Sequence, residues 1–279
     1  MDWQQTIESL QQLKGLEKLE QIMVMLRDPK HGCPWDIKQT FATIVPYTIE
    51  EAYEVADAIE REDFEDLKKE LGDLLFQVVF YGQMAKEQDR FDLESIAEAM
   101  CDKLISRHPH VFSDAEFDSE EKINANWEQT KANERQANDP RQTSVLDDIP
   151  LAMPALSRAY KMQKRAASVG FDWPDVTGAF DKIEEEVDEV KAEIAAGDKQ
   201  KLAEELGDLY FALTNVTRHL GIKPEDALRA ANNKFERRFR QVEAKAHEKQ
   251  TQLQQMSLQQ MDELWDQVKR SETNLSQKS

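Results

Sequence analysis

Two stretches decide the fold of this chain: IEEAYEV at residues 49–55 and KKELGDLLF at residues 68–76. Both recur further along, as IEEEVDEV from Ile183 and AEELGDLYF at residues 203–211. Every acidic position of the first copy reappears 135 residues later. The first set is Glu50, Glu51, Glu54, Glu70 and Asp73, and the second is Glu185, Glu186, Glu189, Glu205 and Asp208. Self-similarity at a fixed offset indicates two copies of one structural unit.

Two further motifs follow the acidic stretches in each copy, in the same order. The Lys-x-x-x-Arg pairs are Lys103 with Arg107 and Lys234 with Arg238, and the Trp-x-x-x-Lys pairs are Trp127 with Lys131 and Trp265 with Lys269. The repeat therefore predicts two domains, at residues 1–131 and 155–279. We expect residues 132–154 to be a linker, because their polar composition with Pro140, Pro150 and Pro154 is typical of connecting segments.

The long segments between these motifs have helical periodicity. Leu67, Leu71, Leu74 and Val78 recur at the spacing of one helix face, and the chain has only 9 Gly. We therefore predict an all-α chain. Turn signals fall between the two acidic stretches of each copy, near Glu62 and at Gly197–Asp198, where Asp198 is a candidate N-cap. Each copy is thus expected to contain an antiparallel helical hairpin.

The hairpin has a geometric consequence for the carboxylates. Residues whose numbers add to the same total lie at the same height, so Glu51 should face Asp73 and Glu54 should face Glu70, with the same pairing in the second copy. Glu70 lies on the leucine stripe and is expected to point into the bundle, where Gly72 would allow a close helix approach. Glu-rich helix faces are usually solvated surface, but paired acids on an apolar stripe need a compensating cation.

The ligand chemistry limits which cation this is. A site made only of oxygen ligands favours Mg²⁺, Mn²⁺ or Ca²⁺. A di-iron carboxylate site on a helical bundle requires Glu-x-x-His motifs. The five histidines are His31, His108, His110, His219 and His247, and none has Glu three residues before it. The di-iron interpretation is therefore excluded.

An open Mg²⁺ site suggests a polyphosphate ligand, because Mg²⁺ commonly joins protein carboxylates to substrate phosphates. The repeated Lys and Arg pairs would supply cations for the phosphates, and the Trp an indole face for a base or sugar. Each motif alone is more often a solvated helix face or a core aromatic residue. Their recurrence after each acidic hairpin favours the functional interpretation.

These motifs carry a family resemblance. The order EExxE, ELGDL and KxxxR, with GCPWDIKQTFATIVPYTIEEAYEVADAI at 32–59 and SVGFDWPDVTGAFDKIEEEVDEV at 168–190, resembles the MazG nucleoside triphosphate pyrophosphohydrolases with two tandem domains. The resemblance covers about residues 15–270. It implies four-helix-bundle-like units completed by homodimerisation, and Mg²⁺-dependent hydrolysis of NTPs or dNTPs to the monophosphate and pyrophosphate. It places the metal on Glu186, Glu189, Glu205 and Asp208 with Glu185 beside them, and the nucleotide on Lys182, Lys201, Lys234, Arg238, Trp265 and Lys269.

The two copies keep the same acids but differ in their cations. Lys182 and Lys201 correspond to Tyr47 and Asp66 in the first copy. At an effective dielectric near 20, each misplaced charge at contact distance costs on the order of a few kcal/mol. We therefore expect the second copy to be the main catalyst. The alternative is that Lys68 or Lys69 replaces the missing pair. GCPWD at 32–36 is either a base-binding element or a packing turn.

Composition excludes several classes of function. A net charge of −19 repels a phosphate backbone, so nucleic-acid binding through a basic surface is not expected. Two cysteines without a CxxC pair and no long apolar run predict a cytoplasmic protein without a membrane span. Two alternatives to the main interpretation remain: a narrower enzyme acting on dUTP or a phosphoribosyl-nucleotide, and a non-catalytic nucleotide-binding adaptor.

Overall fold

The computed structural model describes residues 3–138 and 144–276, and every regular element in these ranges is helical, which confirms the all-α prediction. In the first part the helices are α1 (Trp3–Ser9), α2 (Gly15–Leu26), α3 (Pro34–Lys38), α4 (Phe41–Glu60), α5 (Phe64–Lys86), α6 (Leu93–Arg107), α7 (Pro109–Phe112) and α8 (Glu120–Asn138). In the second part they are α9 (Ala155–Ala167), α10 (Val176–Ala196), α11 (Lys199–His219), α12 (Pro224–Glu248) and α13 (Leu258–Ser276), with a short 3₁₀ turn at Leu253–Gln255.

The chain divides into two compact units, residues 1–138 and 139–279. The predicted linker at 132–154 includes residues 139–143, which lie outside the described residues, and its limits stay a prediction. Its first part continues helix α8, and Ile149 near its end is buried at 7% exposure. None of the helices among the described residues has the length and apolar character needed to cross a lipid bilayer.

Each unit contains the expected helical hairpin, α4 with α5 and α10 with α11. The turn of the second hairpin has Gly197 at φ 77° and Asp198 as the N-cap of α11, where its carboxylate accepts the backbone N–H groups of Gln200 and Lys201. In the first hairpin Glu62 occupies the same left-handed position at φ 56°, and Asp63 caps α5. Both predicted turns and the Asp198 cap are therefore confirmed.

The core of the first unit lies away from the acidic part of its hairpin. Met23 of α2, Ile44 of α4 and Phe80 of α5 are all buried at 1% exposure or less and pack in one cluster. Arg27 fixes the neighbouring turn: it donates to both carboxylate oxygens of Glu87 and, at 2.6 Å, to the carbonyl of Asp36. This core holds one end of the hairpin rigid and leaves the acidic end accessible.

In the second unit, α9 packs on α11 and α12, and α12 packs on α13. Val242 and Ala246 of α12 meet Leu264 and Val268 of α13 in a cluster with at most 2% exposure. Trp265 packs against the edge of this cluster. Helices α12 and α13 therefore form a firm pair that carries the Lys234, Arg238 and Trp265 side chains.

Two expectations about the leucine stripe are wrong for a single chain. Leu71 and Leu75 are 48% and 42% exposed rather than covered by the bundle. A Cβ added at Gly72 or at its counterpart Gly207 would meet no atom of another described element within 4 Å, so neither glycine allows a close helix approach among the residues 3–138 and 144–276. The apolar face of α5 is therefore partly exposed to solvent in a single chain.

Candidate active site

The two hairpins bring the predicted acids together at the expected heights. In the first unit, carboxylate oxygens of Glu51, Glu70 and Asp73 lie within 4.8 Å of one another, and Glu54 lies beside Glu51 and Glu70. Each of these acids comes from the helix and height that the hairpin pairing predicts. Glu50 lies one position away on α4 and is exposed.

The second unit repeats this cluster with Glu186, Glu205 and Asp208, whose ligand atoms also lie within 4.8 Å of one another. Glu189 lies beside Glu186 and Glu205 and completes the set. Glu186 is the most buried acid of the cluster, at 3% exposure. Its Oε2 atom is buried without a hydrogen-bond partner among the described residues.

Close packing shifts the pKa values of these carboxyl groups. Burial, followed by the charge of Asp73, raises the pKa of Glu51. Burial, followed by the charge of Glu54, raises the pKa of Glu70. Burial, followed by the charge of Glu186, raises the pKa of Glu189. Both clusters thus hold more negative charge than their surroundings neutralise.

Lys182 is the internal cation of the second cluster. Its Nζ lies 2.6 Å from Glu186 Oε1 and 2.9 Å from Glu185 Oε1. The hydrogen bond to Glu186, followed by that to Glu185, raises the pKa of Lys182. One oxygen of Glu186 is therefore satisfied by Lys182, and the other is left for a cation from solution.

The residues present fit a hard divalent ion. All candidate ligand atoms are carboxylate oxygens, which suit Mg²⁺ and Mn²⁺. The unpartnered Oε2 of Glu186 is a buried polar atom that an ion would satisfy, and such atoms are costly when left alone. The arrangement can therefore bind a metal and place it beside a polyphosphate, which is the chemistry that the acids were predicted to support.

The predicted nucleotide-binding residues occupy two separate regions of the unit. Lys201 begins the α11 side of the hairpin, near the acids, and its side chain is exposed. Arg238 and Trp265 lie on the α12–α13 pair, where the guanidinium stacks 5.9 Å from the indole centroid. Lys234 lies one turn before Arg238 and is exposed, and Lys269 pairs with Asp266 at 2.8 Å. Within the described ranges, no hydrogen bond or ion pair joins Lys234 or Arg238 to the acidic cluster.

The first unit differs from the second in more than its missing lysines. Asp66, the counterpart of Lys201, is bound by Arg61 at 2.7 Å and by Lys69 at 3.3 Å. The negative charge expected at Asp66 is present, and two cations pair with it, although Arg61 is shared with Asp57 and Asp63. Lys69 is engaged by Asp66. Tyr47 stands in place of Lys182 and brings no charge, so the loss of that cation remains.

Gln77 is a further residue of the first acidic cluster that the sequence motifs did not identify. Its counterpart in the second unit is Ala212. Gln77 is 6% exposed, and its Nε2 donates to Glu51 Oε1 at 3.5 Å. An amide thus lies against the carboxylate that corresponds to Glu186. The repeat could have identified this difference, because residues 77 and 212 are separated by its offset of 135 positions.

The GCPWD segment combines a tight turn with an exposed indole. A Cβ at Gly32 would lie 2.4 Å from the Leu26 carbonyl oxygen, and Asp36 is 7% exposed. Trp35 is 49% exposed and meets the Tyr47 ring edge-on at 5.8 Å. Gly32 and Asp36 therefore serve packing, while base binding by Trp35 stays a prediction.

A second feature missed from the sequence is a glutamate seven residues after each repeated Trp, Glu134 after Trp127 and Glu272 after Trp265. Arg107 Nε donates to Glu134 at 3.1 Å, and Arg238 Nε donates to Glu272 at 2.8 Å. Each arginine also stacks on its Trp at 5.9 Å. Both units therefore hold the arginine of the Lys-x-x-x-Arg motif between an indole and a carboxylate.

Comparison with known proteins agrees with this geometry. The model of the MazG nucleotide pyrophosphohydrolase domain matches the chain twice, at residues 39–112 and 178–243. The chain is 55% identical over 265 residues to a nucleoside triphosphate pyrophosphohydrolase of Escherichia coli (strain K12), covering 94% of this chain and 100% of that protein. It is 42% identical over 253 residues to the nucleoside triphosphate pyrophosphohydrolase/pyrophosphatase MazG of Thermotoga maritima, covering 91% of this chain and 95% of that protein.

Proposed function

The chain belongs to the MazG family of nucleotide pyrophosphohydrolase domains, and from that premise we propose that it hydrolyses nucleoside triphosphates and their deoxy forms to the monophosphate and pyrophosphate with Mg²⁺. The observation that carries the proposal is the second acidic cluster. Glu186 is buried there beside Glu205 and Asp208, with one oxygen unpartnered among the described residues. A buried carboxylate left in this state is ready for a divalent ion.

Four residues would hold that ion, with Mn²⁺ as a possible substitute for Mg²⁺: Glu186, Glu189, Glu205 and Asp208. When bound, the ion supplies neutralisation of the phosphate charges and a lowered pKa for an attacking water. A glutamate of the set, with Glu185 beside it, accepts the proton as water attacks the α-phosphorus and pyrophosphate leaves. Placing the acids on two rigid helices keeps this geometry fixed before substrate arrives.

The cations would bind the substrate's phosphates. Lys182 lies one turn from Glu186 and would exchange its carboxylate partners for phosphate oxygens when the ion and the nucleotide arrive. Lys201, Lys234, Arg238 and Lys269 would add positive charge, and Trp265 an apolar surface for the base or ribose. Each of these residues would thus contact the nucleotide.

We further propose that the second unit is the principal catalyst. Its support is the difference between the clusters: the first lacks a counterpart of Lys182 and places Gln77 against Glu51. An amide donor there occupies an oxygen that a metal ion would use. The first unit keeps Glu50, Glu51, Glu54, Glu70 and Asp73 and can hold a metal with weaker nucleotide binding.

A homodimer is part of the proposal, and the two repeated glycines support it. Gly72 and Gly207 cost about 1 kcal/mol of helix propensity each relative to Ala, yet outside their own helix backbone no atom of the described residues lies within 4 Å of their Cβ positions. Apolar neighbours are exposed beside them, among them Leu71 at 48% and Tyr210 at 60%. A second copy packed on these faces would bury the apolar surface and use the close approach that glycine allows.

The proposed location is the cytoplasm, where the two free cysteines, Cys33 and Cys101, would stay reduced.

The test is product analysis with wild-type protein. We expect pyrophosphate and the monophosphate from ATP, GTP, CTP, UTP and the deoxy forms with Mg²⁺ or Mn²⁺, and no turnover with excess chelator. Release of inorganic phosphate alone would mean cleavage at the γ-phosphate. Metal-dependent nucleotide binding without any product would favour the adaptor, and turnover of dUTP only would favour the narrower enzyme.

A further inference from the structure

We propose that Glu272 is a positioning residue for nucleotide binding: it holds Arg238 by its Nε atom, stacked on Trp265, so that the terminal Nη groups face the phosphates of the substrate. This inference rests on the proposed function and adds a residue to it. The Arg238 Nε–Glu272 Oε2 distance is 2.8 Å, and both side chains are largely shielded, at 22% and 23% exposure.

The hydrogen bond from Arg238 to Glu272 leaves the terminal Nη groups of the guanidinium available for a ligand. Glu272 accepts from Nε, and the Nη groups have no hydrogen-bond partner among the described residues. An Arg side chain loses rotamer entropy when it binds a ligand, and a fixed orientation incurs most of that loss before the ligand arrives. Carboxylate and indole together restrain the guanidinium plane, and phosphates are recognised by its remaining donors.

Glu272 is itself fixed by a second donor. Arg237 Nε, from the same helix as Arg238, lies 3.3 Å from Glu272 Oε1. One oxygen of the carboxylate is thus bound by Arg237, and the other faces Arg238. Arg237 is 59% exposed and contributes little energy, but it sets the direction of the carboxylate.

The same arrangement occurs independently in the first unit. Glu134 accepts from Arg107 Nε at 3.1 Å, and Arg107 stacks on Trp127. A surface ion pair formed by chance would not recur with its indole in both copies. The three-part arrangement is therefore a property of the repeated unit.

The two copies use the arginine differently. In the first unit, a second nitrogen of Arg107, Nη2, also bonds to Glu134. In the second unit, the bond to Glu272 goes through Nε of Arg238. Arg238 therefore keeps more donors for a ligand than Arg107 does, which agrees with the second unit being the principal site.

The experiment compares kcat and KM for pyrophosphate release by wild type, Glu272→Ala, Glu272→Gln, Arg238→Ala and the Glu272→Ala/Arg238→Ala double variant. We expect Glu272→Ala to raise KM about tenfold, the effect of losing one charge-assisted hydrogen bond, with kcat within about twofold. Glu272→Gln keeps a carbonyl oxygen that accepts from Nε, so it should recover most of the loss. The double variant should be no worse than Arg238→Ala, because Glu272 acts through Arg238.

Glu236→Ala is the matched control, since it breaks an exposed glutamate–arginine pair, with Arg240, on the helix that carries Arg238. It should leave KM unchanged. An unchanged KM in Glu272→Ala would overturn the proposal, as would effects of Glu272→Ala and Arg238→Ala that multiply. Affinity for a non-hydrolysable triphosphate analogue, measured by calorimetry on the same variants, tests the inference separately from turnover. If wild type binds the analogue but releases no pyrophosphate, the proposed function fails, while a weaker affinity in Glu272→Ala still supports the positioning role.

Discussion

Replacing Lys182 by Ala removes the internal cation of the second acidic cluster. Lys182 Nζ lies 2.6 Å from the buried Glu186 and 2.9 Å from Glu185. Without it, Glu186 remains at 3% exposure among Glu205, Asp208 and Glu189 with no positive charge beside it. We therefore predict that Lys182→Ala destabilises the metal-free protein and makes its stability more dependent on Mg²⁺.

The size of the effect follows from the contact. At 2.6 Å and an effective dielectric near 20, the gross attraction is about 6 kcal/mol. The Lys182 side chain is 36% exposed, so solvent screening and side-chain entropy reduce the net loss to about 2 kcal/mol. For a unit of this size, that corresponds to a decrease in Tm of about 6 °C.

The assay is thermal unfolding with chelator and with saturating Mg²⁺. Wild type and Lys182→Ala should differ with chelator, and the gap should close with Mg²⁺, because the ion then neutralises Glu186 in both proteins. Lys191→Ala is the control on the same helix: its Nζ is 2.9 Å from Asp188, but both side chains are more than 65% exposed, so the change should be under about 0.5 kcal/mol. Equal metal-free Tm values for Lys182→Ala and wild type, or an equal Mg²⁺-induced rise in both, would refute this reasoning.

Three further predictions concern pH, packing and assembly. The pKa of Glu189 is raised from 4.5, so its carboxyl group binds a proton more readily in the folded state than in the unfolded state. The contribution of Glu189 to metal-free stability is therefore present below about pH 4.5 and is lost as the pH rises through the raised pKa. The Tm advantage of Glu189→Gln over wild type in chelator should therefore grow as the pH rises from 4.5 through the raised pKa, and a constant difference would be evidence against the shift. Gly178→Ala should lower Tm, at a cost of about 1–3 kcal/mol, since its Cβ would lie 2.3 Å from Trp173 Cδ1. Gly207→Leu, whose Cβ would meet no atom of the described residues within 4 Å outside its own helix backbone, should convert the proposed dimer to a monomer in light scattering; an unchanged dimer would place the interface elsewhere.

The hairpins could be predicted from the sequence because their determinants are local. The repeat gave the element order, Gly197 and Asp198 gave the turn, and the period of 3.6 residues placed Glu186 opposite Asp208. Helix geometry is regular enough that the height of a residue follows from its number. The acidic clusters were predictable for the same reason.

The remaining features depend on contacts between distant elements. Glu272 meets Arg238 across two helices, and Arg61 pairs with Asp66 across a turn. Each contact is set by side-chain rotamers and helix packing rather than by spacing within one helix. The difference between Gln77 and its counterpart Ala212 could still be read from the repeat offset, because a buried amide and a methyl group are not equivalent.

The leucine stripe shows a different limit. Periodicity placed Leu71 on one apolar face with Leu67 and Leu74, but it does not say what covers that face. Within one chain Leu71 is 48% exposed. An amphipathic pattern predicts burial and leaves open whether the covering surface belongs to the same chain or to a second copy.

The central claim is that the second acidic cluster performs the reaction, and paired cluster variants test it most directly. Pyrophosphate release from nucleoside triphosphates with Mg²⁺ should be measured for wild type, Glu186→Ala/Glu189→Ala and Glu50→Ala/Glu54→Ala, with folding checked by Tm. We predict that the change in the second unit abolishes release and that the equivalent change in the first unit leaves most of it. Full activity of Glu186→Ala/Glu189→Ala would contradict the account.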